Sequence, residues 1–387
     1  MPSSAADYEP IPLSGPDITE AEVQAATDVV RRTRLSSGNS GPKLSVFEDQ
    51  CAKAAGRRYG VGVNSGTSGL HLCVKGLGIG RGDEVITTAF TFIATINCVL
   101  FEQARPVLVD IDPGSYNMDP AAVEAAITPN TKAILPVEVF GNTAHFDEYE
   151  RIARKHDLAL IEDCCEALGG VLGDRSAGSF GDCGVFAFYP NKQITTGEGG
   201  MIVTDDENLR DLCVSWRNQG RGSSGSWLAH ERMGYNFRLS ELNAALGVVQ
   251  MQRLDEILAK RRRAAQYYDR ALAELADSGR IVLPPMAERD RASWFVYVVR
   301  LGDEFDPAAR EVLCQTLADR GVGFGVYFAP CHYMPHIQYA TGATAGDLPH
   351  TERIGARTIA LPFFANLSEG EVARTADALA EGLDRIA

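Results

Sequence analysis

The sequence predicts an α/β fold: a mostly parallel central sheet with helices on both faces, followed by a smaller C-terminal α+β domain. Three observations predict it. Strand-like apolar runs recur at "YGVGV", "DEVITT", "RPVLVDID", "TKAILPVEVF", "LALIEDCC", "GVFAFYP" and "GGMIVTD", and helical patterns such as "DPAAVEAAI" and "FDEYERIARKHD" separate most of them. Strands joined through helices imply parallel βαβ units. This alternation gives way near residue 239 to a long helical stretch and a second, shorter mixture of strands and helices. Finally, 387 residues, 45% hydrophobic and 23% charged, can bury more core than one domain usually holds.

Taken in order, an extended start leads into helical patterns at "DITEAEVQAATDVVRRTR" and "SVFEDQCAKAAG", and the strand-helix alternation follows. The stretch "LSELNAALGVVQMQRLDEILAKRRRAAQYYDRALAEL" reads as one helix of about ten turns and marks the link between domains. Beyond it lie a strand at "WFVYVVRL", a helix at "DPAAREVLCQTLADRG", a segment "IGARTIALPFF" and a last helix that Ser368 and Glu371 open at capping-box spacing. The predicted division is 1–238 for an N-terminal extension and large domain, and 239–387 for the linking helix and small domain.

A formal net charge of −14 argues against a general nucleic-acid or anionic-membrane binder, since both need a basic surface field. A small anionic ligand in a local basic pocket remains compatible with it. The N-terminal "MPSSAADYEPIPLSGP" lacks a basic start before an apolar run, and no segment reaches membrane-spanning length without charges, so a cytoplasmic protein is expected. Nine cysteines without C-x-x-C spacing, several inside apolar runs such as "GLHLCVKGL" and "REVLCQTL", read as buried, reduced thiols. The adjacent Cys164 and Cys165 should point to opposite faces of one strand and serve packing.

Three places along the large domain carry chemistry. In "VNSGTSGLHL" a strand ends and a helix begins, so Gly66, Thr67 and their neighbours bring backbone N–H groups and hydroxyls to a helix N-terminus, which suits a phosphate and equally suits an ordinary N-cap. No Walker-type lysine follows. In "LALIEDCCEALGG" a strand delivers Glu162, Asp163 and Glu166 at its carboxyl end. These carboxylates suit a metal, acid and base roles, a solvated strand end, or a cationic ring nitrogen, and strand alternation turns only one of Glu162 and Asp163 to the cleft. The third place is "FYPNKQITTGEGG", where Lys192 emerges past a strand end, ahead of glycines that permit close backbone approach. Open α/β sheets bind ligands there, and a partly desolvated lysine can attack a carbonyl carbon. An aldehyde for Lys192, a phosphate for Gly66 and Thr67, and a ring nitrogen for Asp163 are united in one molecule, pyridoxal phosphate.

Elsewhere the signals are weaker. "CHYMPHI" groups Cys331, His332 and His336, but Pro335 bars a continuous helix there and a loop with satisfied histidines is expected. Lys260 to Arg263 reads as a solvated helix face.

With these residues in view, the chain resembles the DegT/DnrJ/EryC1/StrS sugar aminotransferases, fold type I enzymes that use pyridoxal phosphate. The similarity is nearly full-length and runs through "PLSGPDITEAE", "SGTSGLHL", "GDEVITTAFTFIAT", "DIDPGSYNMDP", "AITPNTKAILPV", "IEDCCEALGG", "GSFGDCGVFAF", "NKQITTGEGG" and "GYNFRLSELNAAL". The resemblance implies an internal Schiff base at Lys192, Asp163 on the pyridinium nitrogen, Gly66 and Thr67 on the phosphate, and Phe92 stacked on the ring. It further implies that Asn236 reaches a phosphate in the neighbouring subunit of a homodimer and that Arg238 contacts substrate. The amino group would pass from L-glutamate, through pyridoxamine phosphate (PMP), to a nucleotide-linked 4-keto-6-deoxyhexose. "EDCCEALGG" and "RNQGR" lean toward 4-aminotransferases resembling perosamine synthases, and Arg217, Arg221, Arg232 and Arg238 are expected to offer positive charge to the sugar's diphosphate.

Three positions depart from the family pattern. Ala187 stands where a phosphate-binding serine is usual, Glu166 where glutamine or histidine is usual, and Glu138 where a histidine follows "PV". Glu166 would need a proton to share a hydrogen bond with the cofactor's phenolic oxygen. Two rival readings are a sugar dehydratase of the same family, whose members resemble this chain but carry histidine at the lysine position, and a non-catalytic binder of cofactor or sugar nucleotide. Lys192 together with Asp163 favours transamination over both.

Overall fold

The computed structural model describes residues 9–36, 38, 41–222 and 229–386. Helices α1 (Glu20–Arg31) and α2 (Pro42–Ala54) precede a seven-stranded sheet. Its strands are β1 (Tyr59–Val63), β2 (Glu84–Thr88), β3 (Arg105–Val109), β4 (Thr131–Ile134) and β5 (Ala159–Asp163), then, after a small hairpin of β6 (Val171–Leu172) and β7 (Arg175–Ser176), β8 (Cys183–Ala187) and β9 (Gly200–Thr204). Helices α3 (Gly66–Gly76), α4 (Ala94–Phe101), α5 (Pro120–Ala125) and α6 (Phe146–His156) follow β1, β2, β3 and β4 respectively, and α7 (Glu207–Trp216) follows β9.

The strand order is β1-β9-β8-β5-β4-β2-β3. Every neighbouring pair from β8 to β3 is parallel, whereas β9 runs antiparallel to both β1 and β8. No helix separates β8 from β9, so the chain turns straight back, and the turn carries Lys192. Both faces of the sheet are covered because its residues alternate. Cys183, Val185 and Ile202 pack with Leu70 and Cys73 of α3, while Phe186, Met201 and Val203 pack with Phe47 of α2 and residues from the helices that follow residue 240.

The single long helix expected after residue 239 is three: α8 (Glu241–Gln252), α9 (Leu254–Ala271) and α10 (Ala273–Asp277). Arg253 leaves helical geometry at φ −102° and ψ 6°. Neither Gly nor Pro marks the break, whose distinguishing feature is tertiary: the Arg253 guanidinium donates to Asp17 and Glu22 of the N-terminal segment. Leu254, Ile257 and Leu258 of α9 pack against the large sheet's core, and Ala264, Ala265 and Tyr268 one to three turns later belong to the C-terminal core. That second core surrounds a three-stranded antiparallel sheet of β10 (Ile281–Val282), β11 (Tyr297–Leu301) and β12 (Thr358–Leu361), with α11 (Ala309–Asp319) and α14 (Glu369–Asp384). Between them, α12 (Pro335–Thr341) and α13 (Pro349–Gly355) pack on the large domain, Ile337 with Ala89 and Ile96, and Ile354 with Phe90 and Phe140. The Ser368–Glu371 capping box is present at the start of α14.

The Lys260–Arg263 run is not the solvated face expected of it. Arg261 is 2% exposed and donates to the carbonyls of Trp294 and Phe295 at 2.7 and 2.8 Å, while Lys260 pairs with Asp17 at 2.8 Å. Two backbone acceptors make burial of the guanidinium tolerable and tie α9 to the entry of β11. No described helix is long and apolar enough to cross a membrane.

One glycine tests how tightly these layers meet. A Cβ on Gly200 would stand 2.5 Å from the Ser65 carbonyl oxygen and 2.8 Å from the Gly66 nitrogen, both backbone atoms that cannot swing away. Gly200→Ala is therefore predicted to lower the unfolding free energy by about 1–3 kcal/mol in denaturant titrations. Gly370→Ala in α14, where a Cβ meets nothing within 4 Å, should be neutral or stabilise by about 0.5–1 kcal/mol.

Candidate active site

The carboxyl ends of β1, β5 and β8 converge on a cavity of about 460 Å³. Gly66, Thr67, Phe92, Asp163, Glu166 and Lys192 all line it, although they come from four separate stretches of chain. Phe295, Tyr327 and Phe328 close it from the C-terminal half. Asn236 and Arg238 are not among the cavity's lining residues. Asn236 bridges Asn218 and Arg238 bridges Val63 at the sheet's edge, and Arg238 donates to the Asn218 side chain at 3.0 Å.

The helix end comes first. Ser65 caps α3, accepting from the Ser68 N–H at 3.1 Å, so the N-cap reading and the ligand-facing reading describe the same turn. The first turn of a helix has amide N–H groups with no intrahelical acceptor, and the macrodipole favours an anion beside them. Gly66 is needed for packing as well. A Cβ there would lie 2.8 Å from the Cys165 sulfur and 2.9 Å from the Ala187 Cβ.

At the end of β5 the two adjacent carboxylates part, as alternation predicts. Asp163 lines the cavity, where it accepts from the Thr95 hydroxyl at 2.7 Å and the Cys165 N–H at 3.2 Å. Glu162 points the other way and accepts from the backbone N–H groups of Gly178, Phe180 and Gly181 at 2.7–2.9 Å, with Arg57 at 3.6 Å. Cys164 lies in the core while Cys165 faces the cavity, and all nine cysteines are free.

Lys192 is no solvent-exposed loop lysine. Its side chain is 14% exposed, and Nζ lies 3.6 Å from a Glu166 oxygen and 3.9 Å from the centre of the Phe295 ring. Glu166 accepts from the Phe140 N–H at 2.8 Å. Burial pushes its carboxyl above the ordinary value, against the pull of the Lys192 ammonium and that amide. A buried acid that holds its proton more firmly is able to donate a hydrogen bond. Phe92, 63% exposed, stands at the mouth with its ring unburied.

Amides and hydroxyls at a helix N-terminus, a carboxylate across the floor and a primary amine near it make a donor set that fits pyridoxal phosphate in charge and hydrogen bonding. Ala187 adds no hydroxyl to it.

Other expectations are corrected. Arg217 is fully buried, its guanidinium bonded to Glu48 and the Gly62 carbonyl, so it offers no charge to a substrate. Sequence gave no sign of this because Glu48 lies on α2, far away in the chain. Arg232 donates to Ser215 at 2.6 Å. The "CHYMPHI" stretch is a 3₁₀ turn at Cys331–Tyr333 followed by α12, which Pro335 begins rather than breaks. His332 pairs with Glu352 at 3.0 Å and His336 with Asn97 at 3.2 Å. Sequence reasoning passed over Thr95, Cys165, Phe295 and Tyr327 as cavity residues. A Thr91–Thr95 spacing across the start of α4 was a signal for the first; the last two come from the distant C-terminal half.

The third departure, Glu138, lies on the side of β5 away from the cavity. It is wholly buried with no nitrogen or oxygen partner among the described residues, beside the Glu162 carboxylate and the Cys164 thiol, their ligand atoms all within 4.8 Å of one another. Burial and the nearby Glu162 push its carboxyl well above the ordinary value, and burial pushes Glu162 up to about 7.

A sequence model described as the DegT/DnrJ/EryC1/StrS aminotransferase family matches residues 16–380. The chain is 38% identical over 373 residues to GDP-perosamine synthase of Caulobacter vibrioides, an alignment covering 96% of this chain and 98% of that one. Among solved structures it resembles Helicobacter pylori PseC, an aminotransferase of pseudoaminic acid biosynthesis, with TM-score 0.91 and 26% identity, covering 97% of this chain and 100% of that one. NtdA of Bacillus subtilis, solved with bound cofactor PMP, matches with TM-score 0.84 and 30% identity, covering 95% and 83%.

The Glu138–Glu162 pair makes stability depend on pH. Both acids have raised values in the folded state, so their contribution is complete below the unfolded carboxyl range and is lost as pH rises from that range to the folded values, which Glu162 reaches at about 7. The melting temperature is predicted to fall as pH rises from the ordinary carboxyl range through neutrality, and Glu138→Gln, which supplies a neutral amide, should flatten that decline.

Proposed function

As the chain belongs to the DegT/DnrJ/EryC1/StrS aminotransferase family, we propose that it moves an amino group from L-glutamate to a nucleotide-linked 4-keto-6-deoxyhexose, using pyridoxal phosphate. The observation that carries this reading is the convergence of Lys192, Asp163 and the α3 N-terminus on one cavity. Likeness over nearly the whole chain to GDP-perosamine synthase supports a 4-amino sugar as product.

When bound, the cofactor supplies an electron sink for the carbanion formed at the amino acid's α-carbon. The chain's own residues do the rest. Asp163 faces the ring nitrogen and keeps its proton in place. The turn at Gly66 and Thr67 anchors the phosphate, Phe92 covers the ring, and Glu166 donates to the phenolic oxygen. The Lys192 amine would take the proton from the amino acid's α-carbon and deliver it to the cofactor's aldehyde carbon, so a single group would serve as base and then acid. Phe295 and Tyr327 exclude water around that amine.

The active unit in this proposal is a homodimer. Asn236 and Arg238 lie at the sheet edge, outside the cavity of their own chain, which supports their service to a neighbour's phosphate and sugar diphosphate. The dehydratase reading is disfavoured by Lys192 itself.

The first test is the visible absorption of the protein loaded with pyridoxal phosphate. L-Glutamate should bleach the band of the bound cofactor, and the keto-sugar should restore it. Lys192→Ala should keep the fold yet lose steady-state transamination by roughly 10²-fold to 10⁴-fold; turnover at the wild-type rate would refute the assignment. Asp163→Asn should slow the glutamate half-reaction strongly in stopped-flow absorbance.

A further inference from the structure

Asp163 does not stand alone beneath the cavity. The Thr95 hydroxyl donates to Asp163 Oδ2 at 2.7 Å, and the Thr91 and Thr95 hydroxyls lie 2.9 Å apart. All three side chains are buried, at 3%, 1% and 4% exposure for Thr91, Thr95 and Asp163. A hydroxyl has one proton to donate and an ionised carboxylate only accepts. Once Thr95 donates to Asp163, its own oxygen must accept from Thr91, and the row has a single direction: Thr91 to Thr95 to Asp163. Aligned hydroxyls polarise one another, which strengthens the last bond. The row is also anchored at its far end, where the Cys331 thiol donates to the Thr91 carbonyl at 3.1 Å.

We propose that Thr95 is a positioning residue for Asp163: its hydroxyl, oriented by Thr91, holds one carboxylate oxygen so that the carboxylate presents a fixed face to the ring nitrogen of the cofactor. The inference rests on the pyridoxal phosphate reading above. The second oxygen is held by the Cys165 N–H at 3.2 Å, so the Thr95 hydroxyl is what holds the first. Losing it frees the carboxylate to rotate and leaves a buried anion with one fewer donor.

Thr95→Val keeps the branched shape and removes the hydroxyl, whereas Thr95→Ser keeps the hydroxyl and removes the methyl group. Each variant is titrated with pyridoxal phosphate by fluorescence, and the absorption spectrum of the bound cofactor and the glutamate half-reaction are recorded beside wild type and Asp163→Asn. Thr95→Val is expected to weaken cofactor binding and slow the half-reaction about 10-fold to 100-fold, with a change in the bound-cofactor spectrum in the same direction as Asp163→Asn. Thr95→Ser should stay within about threefold of wild type. Thr91→Val, which leaves the Thr95–Asp163 bond in place, should give a smaller effect of the same kind and serves if Thr95→Val does not fold. A packing role predicts the reverse order, with Thr95→Ser impaired and Thr95→Val normal, and that result overturns the proposal. A wild-type protein that takes up no pyridoxal phosphate would overturn the functional reading instead, which the Thr95 variants alone would not do.

Discussion

The close approach of the Ser65–Gly66 turn to the ends of β5, β8 and β9 is the constraint from which the site follows. Gly66 sits against Cys165 and Ala187, and Gly200 sits against the Ser65 backbone, each at distances that leave no room for another carbon. Because the three strand ends are clamped to one helix N-terminus, that helix end, the β5 carboxylate and the β8–β9 turn with its lysine fall within one small volume. The antiparallel return of β9 is part of this clamp: a helix between β8 and β9 would have carried Lys192 to a face of the sheet instead of its edge.

Four carboxyl groups crowd around the end of β5, and each is accommodated differently. Asp163 is held by a hydroxyl and an amide on the cavity side. Glu162 is wrapped in backbone N–H groups on the opposite side. Glu138 has no such donors among the described residues and burial pushes its carboxyl well above the ordinary value, and Glu166 is set between an amide and the Lys192 ammonium. Burying several like charges together is costly, which is why burial raises the carboxyls of Glu138, Glu162 and Glu166 where they crowd this strand end.

Most of the fold was legible in the sequence because the physics there is local. Apolar runs bounded by turn residues placed all seven strands of the main sheet to within a few residues, and the parity of Glu162 and Asp163 followed from alternation alone. The convergence of Lys192 with Gly66 was legible as well, since both lie at strand ends of one sheet. What could not be read depended on partners distant in the chain. Arg253 ends α8 where Asp17 and Glu22 draw its side chain, with no breaker residue to announce it. Arg217 was expected to face a substrate and Arg261 the solvent, yet acceptors from other elements draw both into the interior. Phe295 and Tyr327 reach the cavity only because the second core folds back over the first.

Helix α9 belongs to both cores: its first turns pack beneath the large sheet and its last turns within the C-terminal one, with Arg261 tied midway to the segment before β11 that bears Phe295. The two halves of the molecule are therefore not beads on a string. Melting either core removes a face of the same rigid rod from the other, so the chain gains a cooperative unfolding unit larger than either sheet. The aromatic wall over Lys192 accordingly keeps its distance from the cavity floor through a helix rather than through the weak contacts of a hinge.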